Sequence, residues 1–79
     1  MKDILETIVK HLVENQDAVK ITEATDSENE KIVKFTVNVA KEDMGKIIGK
    51  QGKNARAIRT VMKSVAAKKE KKVDIEFAE

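Results

Sequence analysis

The chain has 79 residues, no cysteine and a formal net charge of +2. This length suffices for one small core, and without cysteine the chain forms neither a disulfide nor a thiolate metal site. Its apolar runs are far too short to span a membrane. Residues 1–4 include charged side chains and are not typical of a signal peptide. We therefore expect one domain over residues 1–79, located in the cytoplasm and without a cofactor or metal.

The small net charge conceals a strong segregation of charge along the chain. Residues 1–45 hold six lysines against ten acids, whereas residues 46–72 hold ten lysines and arginines against one acid. The remaining residues, 73–79, hold three acids and no base. A concentrated basic segment on an otherwise acidic chain favours a polyanionic partner, although a solvated helix face would carry the same charges.

The chain begins with a predicted helix over residues 3–14. Asp3 and Glu6 have the spacing of a capping box, and Asn15 is of the type that ends a helix in the left-handed conformation. His11 is the only histidine and has no cysteine or second histidine to work with, so we predict an ordinary helix residue rather than a catalytic base. The apolar positions recur every three or four residues: Ile4, Leu5, Ile8, Val9 and Leu12.

A β-hairpin is predicted next. Apolar and polar residues alternate over residues 19–22 and again over residues 33–39, which is the spacing of half-buried strands. The polar residues 26–30 between them are typical of a turn. Together these segments predict two antiparallel strands with one buried face.

Helical spacing returns after the hairpin. The acids within residues 41–43 mark the start of a short helix that Gly49 and Gly52 interrupt. A longer helix is predicted over residues 53–69, and alternation over residues 73–77 predicts a last strand. The long helix has an apolar face made of Ala55, Ile58, Val61, Met62, Val65 and Ala66, and a neighbouring basic face made of Arg56, Arg59 and Lys63.

The predicted order is therefore α-β-β-α-α-β. A two-helix crossover joins the second and third strands, which makes them parallel neighbours. We predict an α+β fold of two layers, in which three helices cover one face of a three-stranded sheet.

The segment between the last two helices carries the chemistry. Its glycines let a ligand approach the backbone closely, and the helix that follows offers free N–H groups and a positive dipole end to a phosphate. Adjacent helix residues point about 100° apart, so one of the two isoleucines before the loop should be buried and the other should line a groove. The segment reads Ile47-Ile48-Gly49-Lys50-Gln51-Gly52-Lys53. It predicts a site for a sugar-phosphate backbone with an apolar groove for bases beside it.

Because it lies between two helices in an α-β-β-α-α-β chain, this motif resembles that of the KH family with the type II order of elements. The Gly-x-x-Gly loop of that family clamps about four nucleotides of single-stranded RNA. Residues 42–52 and 57–59 are further similar to KhpA-like proteins, which are small bacterial stand-alone KH-domain proteins, and the resemblance covers essentially the whole chain. We predict RNA-binding residues in the loop, beside it and along the basic helix face: Ile48, Gly49, Lys50, Gln51, Gly52, Lys53, Arg56 and Arg59.

The resemblance also implies a setting that the residues themselves do not show. KhpA-like proteins are regarded as cytoplasmic RNA chaperones that pair with a larger Jag-type protein carrying its own KH domain. The pair is linked to peptidoglycan homeostasis, cell length and cell shape. A homodimer would stabilise so small a core, but the sequence does not indicate its surface.

Other classes of site fit less well. A P-loop needs four residues between its glycines, whereas Gly45 and Gly49 are separated by three, and the lysine after them is not followed by serine or threonine. The only aromatic residues, Phe35 and Phe77, fall on apolar strand faces, so the sheet is not expected to stack bases. An enzyme is not expected. A protein-interaction adaptor stays open as the alternative function, and so does RNA contact by residues 68–72, since a lysine-rich helix end is ordinary.

Overall fold

The computed structural model describes residues 1–78. Its helices are α1 (Lys2–Leu12), α2 (Met44–Ile48) and α3 (Lys53–Lys68), and its strands are β1 (Lys20–Thr25), β2 (Ile32–Asn38) and β3 (Lys72–Ala78). Short 3-10 turns occupy Gln16–Ala18 and Lys41–Asp43, and Lys50–Gly52 forms a tight turn of non-helical backbone conformation. The predicted order α-β-β-α-α-β is confirmed. Over the described residues, no helix combines the length and the apolar character needed to cross a bilayer.

The three strands form one sheet in the order β1-β2-β3. Strand β1 pairs with β2 in the antiparallel direction, and β2 pairs with β3 in the parallel direction, as the two-helix crossover predicts. Phe35 lies at the centre of the sheet, opposite Glu23 on one side and Ile75 on the other. Because β3 is an edge strand, one side of its backbone has no strand partner.

The core lies between the helices and one face of the sheet. Alternation along β2 turns Val33, Phe35 and Val37 towards the helices, where all three are buried. Burial of each such side chain contributes about 1.5–3 kcal/mol. The remaining core side chains that are essentially inaccessible come from all three helices: Leu5, Val9, Ile47, Met62 and Ala66.

The ends of α1 differ from the prediction. The predicted capping box of Asp3 and Glu6 is wrong. Met1 is the residue that precedes the helix, so Asp3 already lies inside the first turn, and no side chain caps the helix. Glu6 instead forms an ion pair one turn further along. The predicted left-handed cap at Asn15 is also wrong, because the chain leaves the helix at Val13 in an extended conformation and Asn15 has a φ of −96°.

Two apolar residues that the helical spacing places on buried faces are exposed. Ile4 is 43% exposed and Val61 is 46% exposed. Ile4 lies in α1 and Val61 lies in α3. Val61 therefore leaves apolar surface facing outward between α1 and α3.

Candidate nucleic-acid interface

The glycine loop (residues 49–52) reverses the chain between α2 and α3 through backbone conformations that favour glycine. Gly49 has φ 75° and ψ 174°, and Gly52 has φ 76° and ψ 14°. Gln51 also has a positive φ, 56°. The Gly49 N–H donates to the Gly45 carbonyl at 2.8 Å, and the Gly52 N–H donates to the Gly49 carbonyl at 3.1 Å. These bonds fix the turn before any ligand arrives.

Asn54 braces the glycine loop from the side of α3. Its Nδ2 donates to the carbonyl oxygen of Lys46 at 2.7 Å, which ties the first turn of α3 to α2. A Cβ at Gly49 would stand 2.7 Å from the Asn54 Cγ and 2.9 Å from its backbone nitrogen. The absence of a side chain at Gly49 is therefore what allows Asn54 to sit so close. Sequence reasoning missed Asn54, because its partner is a carbonyl eight residues earlier.

Asp43 braces the same region from the side of α1. Its carboxylate is 1% exposed and accepts hydrogen bonds from the backbone N–H groups of Glu14, at 3.2 Å, and Asn15, at 3.0 Å. Lys46 Nζ lies 2.6 Å from Glu14 Oε1 and 4.0 Å from Asp43 Oδ1. The hydrogen bond to the Glu14 carboxylate raises the pKa of Lys46 above its ordinary value. Asp43 does lie at the start of α2, as predicted, but it has a further role that the helix dipole does not explain, since it joins the end of α1 to the start of α2.

The basic side chains around the glycine loop face solvent. Lys50, Lys53 and Arg56 are exposed, as is Gln51. Of the ten basic residues in 46–72, only Lys46 forms a salt bridge with another residue of the described part of the chain. The positive charge at the loop is therefore not neutralised within residues 1–78.

The glycines and the two isoleucines before them differ in exposure. Gly49 and Gly52 are partly exposed. Ile47 is fully buried in the core, whereas Ile48 is partly exposed. The expectation that one isoleucine is buried is confirmed, and Ile48 is left with accessible apolar surface beside the loop.

Arg59 differs from the other predicted site residues because it contacts β3. Its Nε and Nη2 both lie 3.4 Å from the Ile75 carbonyl oxygen, and its guanidinium carbon lies 5.3 Å from the centre of the Phe77 ring. The contact places the first half of α3 beside the second half of β3. Any contact of Arg59 with RNA would compete with, or be shaped by, this contact within the protein.

Comparison with known proteins identifies the family. A family model described as KhpA/KhpB, KH domain, matches residues 2–77. The chain belongs to this family. An RNA-binding protein KhpA of Clostridium acetobutylicum is 50% identical over 77 residues, covering 98% of this chain and 99% of the relative. The RNA-binding proteins KhpA of Aquifex aeolicus and Listeria monocytogenes are 43% and 42% identical to this chain. Each match covers all of this chain, and the matches cover 96% and 100% of the two relatives, respectively. No solved structure shows a significant match.

The family match confirms the resemblance found in the sequence and the type II KH arrangement of the fold. The KhpA/KhpB KH family is a family of RNA-binding proteins and not of enzymes, which agrees with the expectation from the sequence. Within residues 1–78 no cluster of three histidine or carboxylate side chains is arranged to hold a metal ion.

This KH domain has a second notable surface on the side of α3 that faces α1. An open groove of about 270 Å³ lies between α1 and α3. Its lining is almost entirely apolar: Ile8, Leu12, Asn54, Ala57, Ile58 and Val61. The exposed side chain of Val61 contributes to the apolar surface of this groove.

Proposed function

We propose that residues 1–79 form one KH domain that binds single-stranded RNA through the glycine loop. The observation that carries the proposal is the loop itself, which is braced from both sides and surrounded by exposed cations. Asn54 ties α3 to α2 beside the loop and Asp43 ties the start of α2 to the end of α1, while Lys50 and Lys53 form no salt bridge within residues 1–78. The names printed for the curated relatives, RNA-binding proteins KhpA, agree with this function.

In this mechanism the loop holds the strand by its backbone. The free N–H groups of the first turn of α3 face a phosphate, and the positive dipole end of the helix favours its charge. The glycines keep Cβ atoms away from the sugar-phosphate chain, and the exposed part of Ile48 contacts a base. Because one loop approaches one backbone, an unpaired strand should bind better than a duplex stem.

The structure also suggests how strongly salt should weaken binding. Lys50, Lys53 and Arg56 are the exposed cations near the loop, whereas Arg59 is engaged with β3. About three phosphate contacts to a single strand give a slope near −2 when the logarithm of the affinity is plotted against the logarithm of salt concentration. A slope near zero would show that these cations do not meet phosphate.

The decisive test is the double substitution Lys50→Asp with Gln51→Asp, assayed by filter binding to an unstructured RNA oligonucleotide. Both side chains are exposed, and aspartate tolerates the positive φ of Gln51, so each change should alter stability by less than about 0.5 kcal/mol. The charge at the loop falls by three units and attraction to phosphate becomes repulsion. We expect an unchanged circular dichroism spectrum and melting temperature with RNA retention lost.

The matched control is Gln16→Asp with Lys20→Asp, which changes the charge by the same amount on exposed residues before and at the start of β1. This variant should retain RNA. If the loop variant is folded and binds as well as the parent, the site is elsewhere and the proposal fails.

We further propose, on the resemblance, that the chain acts in the cytoplasm as an RNA chaperone together with a Jag-type KH protein and contributes to peptidoglycan homeostasis and cell shape. A single clamp of about four nucleotides gives little affinity, and joining it to a second clamp raises the effective concentration of the strand. Affinity purification should recover the Jag-type protein, and deletion of the gene should alter cell length. Recovery of a monomeric chain without it would contradict the pairing.

A protein-interaction adaptor is the second candidate function, and the apolar groove between α1 and α3 favours it. The partner we assign to this groove is the Jag-type protein. Val61→Asp should abolish that association without reducing affinity for RNA, while the exposed neighbour Thr60→Asp should preserve both. Sedimentation of the purified chain would show instead whether the groove closes on a second copy. Loss of RNA binding in a folded Val61→Asp variant would assign the groove to RNA.

A further inference from the structure

The apolar groove between α1 and α3 includes the residue that braces the glycine loop. Five of the six residues that line the groove are apolar, and the sixth is Asn54. The Nδ2 of this same Asn54 donates to the Lys46 carbonyl oxygen at 2.7 Å, beside the loop. One partly buried side chain therefore belongs both to the groove and to the support of the loop.

Asn54 also touches the loop directly. A Cβ built at Gly49 would stand 2.7 Å from the Asn54 Cγ, so the Asn54 side chain lies against the Gly49 backbone. Gly49 holds the turn at both of its ends, because its N–H donates to the Gly45 carbonyl and its own carbonyl accepts from the Gly52 N–H. Displacement of Asn54 therefore loosens the residue on which the turn depends.

The cost of breaking the bond between Asn54 and Lys46 depends on what fills the groove. While the groove is open, water replaces either partner when the bond breaks, so the net contribution of the bond is small. A side chain that fills the groove excludes water from Asn54, and breaking the bond would then leave its amide without a partner. Opening of the loop becomes rarer for that reason.

The lining of the groove indicates the kind of occupant. None of its six lining residues is charged, so the groove offers no cation to a phosphate and suits an apolar side chain of a protein. The exposed Val61 supplies accessible apolar surface there. The occupant is the Jag-type partner to which the second candidate function assigns this groove.

We propose that occupation of the apolar groove locks the glycine loop through Asn54, so that a bound partner protein holds the loop in its closed conformation. The inference rests on the proposed function, since it requires that the partner docks on this groove. The coupling is reciprocal, so a strand held by the loop tightens the binding of the partner by the same factor. Affinity for RNA rises only as far as the loop opens in the free chain, which makes the opening itself the sharper quantity to measure.

Amide hydrogen exchange, followed by nuclear magnetic resonance, measures this opening in the absence of RNA. The N–H groups of Gly49 and Gly52 report on the loop. The Ile32 N–H, which donates to the Asn29 carbonyl in the hairpin turn, is the internal reference. At a saturating concentration of the Jag-type protein, exchange of the two loop N–H groups should slow by at least about fivefold, and exchange of the Ile32 N–H should not change.

The variants Asn54→Ala and Asn54→Asp remove the donor and leave the five apolar lining residues in place. Aspartate keeps the size of asparagine and is favourable in the first turn of α3, so this variant should fold even where alanine destabilises the chain. Both variants should bind the partner, and their loop N–H groups should exchange equally fast with and without it. The matched control Thr60→Asp, at an exposed position of α3 outside the groove, should show the same slowing as the parent.

The outcomes separate this coupling from the RNA site. Equal slowing in the parent and the Asn54 variants, slowing that extends to the Ile32 N–H, or partner binding without any slowing would each refute the coupling. Failure of the partner to bind the parent, or full binding by Val61→Asp, would remove the partner from the groove and refute the coupling with it, whereas RNA retention by the parent is measured separately and decides the loop site. Slowing when the chain alone is concentrated would assign the groove to a second copy and refute the assigned partner.

Discussion

The three glycines around the loop should respond to alanine in three different ways. Gly49 has a combination of φ and ψ that is essentially restricted to glycine, and Asn54 occupies the space of its missing side chain. Gly52 lies in the left-handed helical region with open space around a built Cβ. Gly45 lies within α2, has no positive φ, and also has open space at that position.

The magnitudes follow from these environments. Gly49→Ala introduces backbone strain of about 1–3 kcal/mol, and displacement of Asn54 removes a hydrogen bond that contributes about 0.5–1.5 kcal/mol. We therefore expect the free energy of unfolding to fall by about 3 kcal/mol. Gly52→Ala meets only the left-handed penalty of about 1–2 kcal/mol. Gly45→Ala should stabilise by about 0.5–1 kcal/mol, because alanine is the better helix former. A chain of this size has a total stability of about 4–12 kcal/mol, so the differences are large.

Urea unfolding followed by circular dichroism measures the series. The midpoints should rank Gly45→Ala above the parent, then Gly52→Ala, then Gly49→Ala, with similar slopes. Filter binding should show that Gly49→Ala loses RNA affinity even where it is folded, since Asn54 no longer holds the loop. A Gly49→Ala variant as stable as the parent, or a Gly45→Ala variant less stable than it, would refute the assigned loop geometry.

Three further predictions concern other fixed points of the fold. Glu70 has a φ of +57°, so Glu70→Gly should stabilise by up to about 1 kcal/mol and raise the melting temperature by several degrees, whereas Glu70→Ala should not. Asp43→Asn replaces an acceptor oxygen by an amide donor facing a backbone N–H, so urea unfolding should show that the free energy of unfolding falls by about 1–3 kcal/mol. The control Glu42→Gln, at an exposed position, should change the free energy of unfolding little. The hydrogen bond to Glu14 raises the pKa of Lys46, so the pair stabilises below the ordinary lysine pKa and the stabilisation is lost as the pH rises through the raised value. The difference in melting temperature between the parent and Lys46→Met should therefore be constant near neutral pH and vanish at strongly alkaline pH; a constant difference throughout would contradict the ion pair.

The sequence predicted those parts of the fold that depend on local pattern. Alternation over residues 33–39 identified the central strand because one of its faces is buried and the other is not. The order of elements then implied the parallel pairing of β2 and β3, and the glycines located the loop. Helix ends were predicted less well, since the role of Asp3 depends on which residue begins the helix, and α1 begins one residue earlier than its polar pattern suggests.

The parts of the candidate site that sequence reasoning missed depend on distant partners. Asp43 accepts from backbone groups 28 and 29 residues earlier, and Arg59 donates to a carbonyl 16 residues later. No local spacing indicates such contacts. An aspartate in an acidic turn has an adequate local explanation in the helix dipole, and that explanation conceals the buried carboxylate.

The division between fixed backbone and mobile charge suggests how this domain would treat different RNAs. The hydrogen bonds of Gly49 and Gly52 hold the loop backbone and Asn54 ties the helices on either side of it together, so little ordering of the loop is needed if a phosphate binds there. The cations exposed around the loop are long side chains that form no salt bridge within residues 1–78, and contacts of such side chains with phosphate would carry no sequence information. Affinity should therefore depend strongly on salt and weakly on sequence. If Ile48 contacts a base, as we propose, its exposed apolar surface distinguishes bases only by shape, so selectivity should depend more on the length of the unpaired strand than on its sequence.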